Sequence, residues 1–281
     1  MIVNIYDERF IKNSPSSTGY KKAVNINYVQ NKKTWDGLTI FTDNCLGSIP
    51  YVDSKYKVFW QLETPALSNK FFYKMLKRPA NILDMVITYD ESLIKSDPNK
   101  FKRGSFGGYT ANSPMMYKKS KLACIVDSGK RRLRGHKLRG EAAKDSRLNV
   151  YGRSTGKPFE NITSVYSDYR YAVVIENNKH ENYFTEKLTD AIACGCVPIY
   201  WGCPNIDLHF DMEGIIVIDD IESLQQVLSD IQNDKSHQMY SIRMNSLIHN
   251  LNVVKNNFYT NEDWLYNNYL HIFDSLTTQN Y

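Results

Sequence analysis

At 281 residues the chain can hold two domains of ordinary size, and 42% hydrophobic with 23% charged residues sets it among globular proteins rather than disordered or fibrous ones. A net charge of +5, from 35 basic and 30 acidic residues, suits an anionic small ligand but is too weak for a nucleic-acid-binding footprint. No apolar run approaches ~18 residues, the N-terminus MIVNIYDERF reads as a strand rather than a signal peptide, and the five cysteines outline neither a disulfide framework nor a zinc half-site, so no membrane span and a cytoplasmic setting are expected.

In chain order, apolar runs alternate with helical spacing. Met1 to Tyr6 reads as a strand and Asn13 to Tyr20 as a loop. Leu38 to Thr42 and Tyr56 to Leu62 are further strands, the second running into Glu63-Thr64-Pro65. Ser68 to Lys77 has Phe72, Met75 and Leu76 at helical spacing and is stopped by Pro79. Met85 to Thr88 is a strand ending at Tyr89-Asp90, and Arg103 to Pro114, with Phe106-Gly107-Gly108-Tyr109, reads as the approach to a linker. Leu122 to Val126 restarts the pattern, followed by a basic helix from Lys130 to Lys144 and a strand from Leu148 to Tyr151. Past residue 201 come a strand from Ile215 to Ile218, a helix over about Glu222 to Gln232, and a helical tail from about Lys235 to Ser275 that lacks Gly and Pro. This alternation predicts an α/β protein with parallel sheets. The division expected is 1–118 and 119–281, with the terminal helices in the second domain.

The most informative stretch is YAVVIENNKHENYFTEKLTDAIACGCVPIYW, Tyr171 to Trp201. Tyr171 to Ile175 is a continuous apolar run, as in a strand buried on both faces. Leu188, Ala191 and Ile192 lie on one helical face, Gly195 supplies a helix stop, and Val197 to Trp201 is the next buried strand. The unit is βαβ, which puts its polar loop at the carboxyl end of a parallel strand, where open α/β sheets bind ligands. Thr185 fits an N-cap, with Glu186 and Lys187 in the first turn. A helix N-terminus attracts phosphate, and a bound anion would account for a lysine at the positive end of the dipole. Glu186 could accept from ribose hydroxyls. A capped helix with a solvated Glu-Lys pair fits the same spacing.

Glu176-Asn177, Tyr183, Thr185-Glu186-Lys187 and Gly195-x-Val197-Pro198-Ile199 with Gly202 resemble the signature of the family 10 glycosyltransferases, the α1,3/4-fucosyltransferases. A looser similarity to exostosin-type transferases runs through Asp190 to Pro198. Either resemblance implies the GT-B architecture: two Rossmann-like domains with parallel sheets facing a cleft, and C-terminal helices. Residues 1–118 would be the acceptor-side domain and 119–281 the nucleotide-sugar-binding domain.

The resemblance implies an inverting transferase that moves a sugar from a nucleotide diphosphate sugar to a hydroxyl of a glycan acceptor. GDP-fucose is the first donor expected; UDP-xylose or another UDP-sugar is the second. Glu63 matches the acid of the family's Glu-Ser-Pro motif, with Thr64 in place of Ser, and would be the general base; Asp90 and Glu91 are its rivals at another strand end. Arg139 would hold the diphosphate, with Arg131, Arg132 and Arg134 as alternatives in the same basic run. Ser128, Asn177, Tyr183, Glu186 and Lys187 complete the expected donor site. No Asp-x-Asp motif follows a strand and no Walker-type loop is present, so neither a metal nor any other cofactor is expected. A carbohydrate- or polyanion-binding protein that has kept the fold without catalysis is the competing class.

Overall fold

The computed structural model describes residues 1–7, 22–63, 82–104 and 107–278. The loop expected at 13–20, the Thr64-Pro65 turn, the helix expected at 68–77 and Phe106 lie outside these residues. The chain forms two compact units, residues 1–106 together with 260–281, and residues 107–259. This grouping differs from the division at 118/119: the glycine-rich stretch from Gly107 onward belongs to the second unit, and the chain from Thr260 returns to the first.

In the first unit, β1 (Ile2–Tyr6), β2 (Asn27–Gln30), β3 (Thr34–Thr42), β4 (Asp53–Trp60), β5 (Met85–Thr88) and β6 (Phe101–Arg103) form a parallel sheet in the order β2-β1-β3-β4-β5-β6. A 3₁₀ segment, Asp43–Tyr51, joins β3 to β4, and α1 (Glu91–Ser96) follows β5. Phe41, Ile49, Phe59, Val86, Leu93 and Phe101 pack on one side of the sheet. The sequence reading missed β2 and β6 because both are short, polar edge strands. It also found only the buried ends of β3 and β4, whose first residues are largely exposed and polar.

The second unit contains β7 (Lys121–Val126), α2 (Arg134–Ala142), β8 (Asn149–Tyr151), α3 (Thr163–Tyr166), β9 (Tyr169–Ile175), α4 (Glu186–Ala193), β10 (Val197–Trp201), β11 (Ile216–Val217), α5 (Ile221–Asn233), α6 (Gln238–Ser241) and α7 (Met244–Asn257). Its strands run parallel in the order β11-β10-β9-β7-β8. The chain steps outward from β7 to β8, then crosses back to place β9 on the other side of β7. That reversal makes a crevice between the carboxyl ends of β7 and β9, the switch point at which open sheets bind ligands. Gly195 ends α4 in the left-handed region at φ 68°, as the helix stop requires.

The expected basic helix at 130–144 is shorter than its pattern, because Leu133 is extended and α2 begins only at Arg134. The tail is broken as well. After α7, Thr260 caps α8 (Asn261–Leu265), and a π-helical turn, Tyr266–Leu270, leads into α9 (His271–Thr278). Asp263 secures this return within the first unit: its carboxylate accepts from Val24 N and Asn25 N at 2.8–3.0 Å and from Thr260 Oγ1 at 2.7 Å. Among the described residues no helix is long and apolar enough to cross a membrane.

Candidate functional site

The site is built on the loop after β9. Glu176 is fully buried there, and its carboxylate accepts from the Thr185 N–H at 2.8 Å and the Thr185 hydroxyl at 2.8 and 3.0 Å. Thr185 is thereby fixed as the N-cap of α4, its Oγ1 accepting from Lys187 N at 3.4 Å and Lys187 Nζ at 2.8 Å. Lys187 also reaches Glu186 Oε1 at 3.1 Å and Glu176 Oε2 at 3.5 Å, with 26% of its side chain exposed. Burial works against its ammonium, but the Glu186 and Glu176 carboxylates outweigh that and hold its pKa above the usual lysine range. Glu186 is 45% exposed; burial pushes its pKa up, yet Lys187 holds it below the ordinary glutamate value. The lysine that seemed misplaced at a positive helix end thus has resident counter-charges and an open side.

The first turn of α2 closes against this loop. A Cβ on Gly135 would lie 1.8 Å from the Glu176 carbonyl oxygen, so only glycine permits the approach. The next residue, His136, is buried; its Nδ1 accepts from Leu133 N at 3.2 Å, which leaves Nε2 as the donor to Asn177 Oδ1 at 3.0 Å. Burial, then the Arg139 charge, holds this imidazole below its usual pKa, in keeping with a neutral ring. Arg139 is 5% exposed, and its Nε and Nη2 both donate to the Ile175 carbonyl at the end of β9, Nε at 3.1 Å. Nη2 also reaches Asn177 Oδ1 at 3.4 Å. With Oδ1 claimed by two donors, Asn177 turns its amide nitrogen away from them. Arg139 therefore sits behind the loop, bracing it, and Nη1 is its one end group with no protein hydrogen bond among the described residues.

On the β7 side of the crevice, buried Asp127 accepts from Gly129 N at 3.2 Å and from both terminal nitrogens of Arg131, at 3.1 and 2.7 Å. Burial raises the Asp127 pKa, but the bonds from Arg131, Gly129 and Ser154 together leave it lowered. Arg131 is spent on this pair. Ser128 follows directly and is half-buried. Arg134 is exposed at the start of α2, 5.7 Å above the ring of Trp201, whose carbonyl accepts from Glu176 N. Arg132 is exposed as well, but Arg134 is the arginine of the run placed over Trp201.

Tyr183 is 2% exposed and belongs to the packing beneath the loop, next to Phe184, whose ring contacts His209, Phe210 and Phe258. In the first unit, Glu63 lies three residues beyond β4, at the carboxyl edge of that sheet. Both rivals have structural duties: Asp90 caps α1 through Ser92 N and Leu93 N, and Glu91 pairs with Arg103. The structure thus gathers Ser128, Arg139, Asn177, Glu186 and Lys187 around one sheet edge, with Tyr183 beneath. The sequence pattern assigned no role to Glu176, although it opens the motif, nor to His136. Among the described residues no group of three or more His, Cys, Asp and Glu is arranged to hold a metal ion.

Residues 115–258, just over half of the chain, match the family model described as glycosyltransferase family 10 (fucosyltransferase), C-terminal part. The chain belongs to glycosyltransferase family 10. Its matched segment holds every donor-site residue named above, while Glu63 precedes it. The chain is similar to α-(1,3)-fucosyltransferase 7 of Rattus norvegicus, 27% identical over 130 residues, 44% of this chain and 35% of that one. It is 26% identical over 83 residues to α-(1,3)-fucosyltransferase FucT of Helicobacter pylori, 30% and 17% of the two chains. The similarity thus spans about a third or less of these relatives' own length. A crystal structure of an α1,3-fucosyltransferase with GDP has 17% identity and a TM-score of 0.60, covering 100% of this family 10 chain and 91% of the other. The shared fold is GT-B, as expected from the sequence. A structure of an α1,3-fucosyltransferase with GDP-fucose gives a TM-score of 0.59 over the same extent.

Proposed function

We propose that this protein transfers fucose from GDP-fucose to a hydroxyl of a glycan acceptor, with inversion at the anomeric carbon and without a metal. One observation carries the reading: the switch point of the second sheet brings together the capped N-terminus of α4, a partly exposed Lys187 and the Asn177 amide. A diphosphate suits those groups better than a neutral ligand. Family membership and fold likeness to fucosyltransferases solved with GDP and GDP-fucose support the choice of nucleotide and sugar.

In this reading Lys187, the positive end of α4 and the Asn177 amide bind the diphosphate. Arg134 and the free end of Arg139 add positive charge, Glu186 accepts from ribose hydroxyls, and Ser128 contributes a hydroxyl from the β7 side. The acceptor oxygen bonds to the anomeric carbon as its proton passes to the Glu63 carboxylate. The bond from that carbon to the diphosphate oxygen breaks, its electron pair leaving with GDP. Catalysis then rests on positioning and on the cationic leaving-group site.

The test is GDP release and product formation from GDP-fucose with a panel of glycan acceptors, with and without EDTA. Transfer from GDP-fucose at a rate unchanged within about twofold by EDTA is expected, because protein cations take the role of a metal in stabilising the leaving group. Glu63→Gln should lower turnover by ~10² to 10⁴, the range for loss of a general base, with GDP affinity kept. Transfer from UDP-xylose in place of GDP-fucose would change the donor assignment. Nucleotide binding without release from any donor would make the protein a binder.

A further inference from the structure

The carboxyl edge of the first sheet holds a hydrogen-bond assembly around the Glu63 backbone. Asp43, the residue after β3, accepts through Oδ1 from Leu62 N at 3.0 Å and Glu63 N at 3.2 Å, and through Oδ2 from Glu63 N at 3.2 Å. On the other side of the same residue, the Glu63 carbonyl accepts from the Tyr89 hydroxyl at 2.6 Å. The Tyr89 oxygen in turn accepts from Gln61 Nε2 at 3.0 Å, and Gln61 Oε1 accepts from the Thr88 hydroxyl at 2.6 Å. Gln61, Thr88 and Tyr89 are fully buried. Their donors run in one sense, Thr88 to Gln61 to Tyr89 to Glu63, so each bond polarises the next.

Glu63 is therefore gripped at its N–H and its C=O by side chains from the ends of three adjacent strands. A glutamate serving only solubility needs no such support, whereas a reacting group is held by locked neighbours on rigid elements. The choice of an acid for the N–H side is also telling. Asparagine would keep the two Oδ1 bonds without charge, yet Asp43 faces two further carboxylates, Glu63 and Asp7. Burial first, then those two charges, push its pKa up to about 6, against the lowering effect of the Leu62 and Glu63 amides. Repulsion between the two acids is mutual, so an ionised Asp43 makes the Glu63 carboxylate the stronger proton acceptor.

Resting on the proposed role of Glu63 as base, we propose that Asp43 is a positioning residue of the transfer reaction, fixing the Glu63 backbone and strengthening its carboxylate as a proton acceptor. The experiment compares kcat and KM for GDP-fucose across pH in the full chain and in Asp43→Asn, Asp43→Ala and Glu63→Gln. Asp43→Asn keeps the Oδ1 bonds to both amides and gives up the charge together with the second, Oδ2 bond to Glu63 N. Wild-type kcat is expected to fall as pH drops through about 6, where Asp43 takes up its proton. Asp43→Asn should lack that step and show a lowered plateau at neutral pH. Asp43→Ala should lower kcat by roughly tenfold or more, short of the ~10² to 10⁴ for loss of the base itself, with KM for GDP-fucose nearly constant. An unchanged pH profile and plateau in Asp43→Asn, beside an inactive Glu63→Gln, would overturn the inference while sparing the base. Near-wild-type turnover in Glu63→Gln would instead overturn the base reading itself.

Discussion

Lys187 and Arg139 carry like charge in one site, yet they are built for different tasks. Lys187 keeps a quarter of its side chain open, whereas Arg139 is turned inward onto the Ile175 carbonyl. Lys187→Ala should therefore weaken GDP binding by about 10- to 150-fold, the equivalent of a charged hydrogen bond worth ~1.5–3 kcal/mol, as read by titration calorimetry. Arg139→Ala should act on stability as well as binding. It strands a buried carbonyl, a cost of ~1–3 kcal/mol, and should lower Tm by roughly 2–12 °C. Arg131→Ala breaks the pair with Asp127 and the bond to the Lys130 carbonyl, both local to the β7 loop, so GDP affinity should stay within about twofold of wild type while that loop loosens. A large loss of affinity there would move the diphosphate assignment along the run.

The strap that enters the second unit is tied along α4, the helix whose first turn forms the site. Asp190 accepts from Thr110 N at 2.6 Å, Thr110 Oγ1 at 2.6 Å and Ala111 N at 2.9 Å, and Met115 N donates to Ala193 O at 2.9 Å. Burial pushes the Asp190 pKa from 3.8 to about 7, outweighing the bonds from Thr110 and Ala111. As pH rises above ~4 the unfolded chain ionises this carboxyl first, so the folded state binds more protons and stability declines until about pH 7. Asp190→Asn keeps the acceptor oxygen and removes the ionisation. Its Tm should vary less with pH between 4.5 and 7 than that of wild type, as scanning calorimetry would show. A parallel offset between the two curves would mean that Asp190 does not titrate in this range.

The contrast between local and distant contacts decides what could be read from the chain. Thr185, Glu186, Lys187 and Gly195 were legible because a cap, a first turn and a helix stop are set within one element. The strands β5 and β10 were legible because apolar runs bounded by turn residues mark buried strands. The Arg139, His136 and Asn177 network joins residues up to 41 positions apart, and Asp43 reaches Glu63 across 20. Such pairs form only when neighbouring strand ends meet, and no spacing in the chain records them. The edge strands β2 and β6 escaped because half-exposed polar segments lack an apolar period.

At the scale of the molecule, the second unit is one continuous segment while the first is made of two. A fragment of residues 107–259 should therefore fold by itself and bind GDP with the affinity of the full chain. Removing residues 260–281 should damage the first unit selectively, because Asp263 would no longer hold Val24 and Asn25 ahead of β2. Hydrogen exchange should report lost protection in β1 and β2 with protection in β9 and β10 retained. Equal loss in both sheets would show that the units fold as one.

Because the first unit closes only with the stretch that begins at Thr260, the second unit is complete on the ribosome before the first. At ~5–20 residues per second, synthesis of residues 107–259 occupies about 8–30 s. Throughout that interval the nascent β1–β6 segment waits without α8 and α9, and by its end the later unit has all its strands. The Asp263 contacts are then among the last to form, and early release of the chain would leave the second unit complete and the first without its final helices.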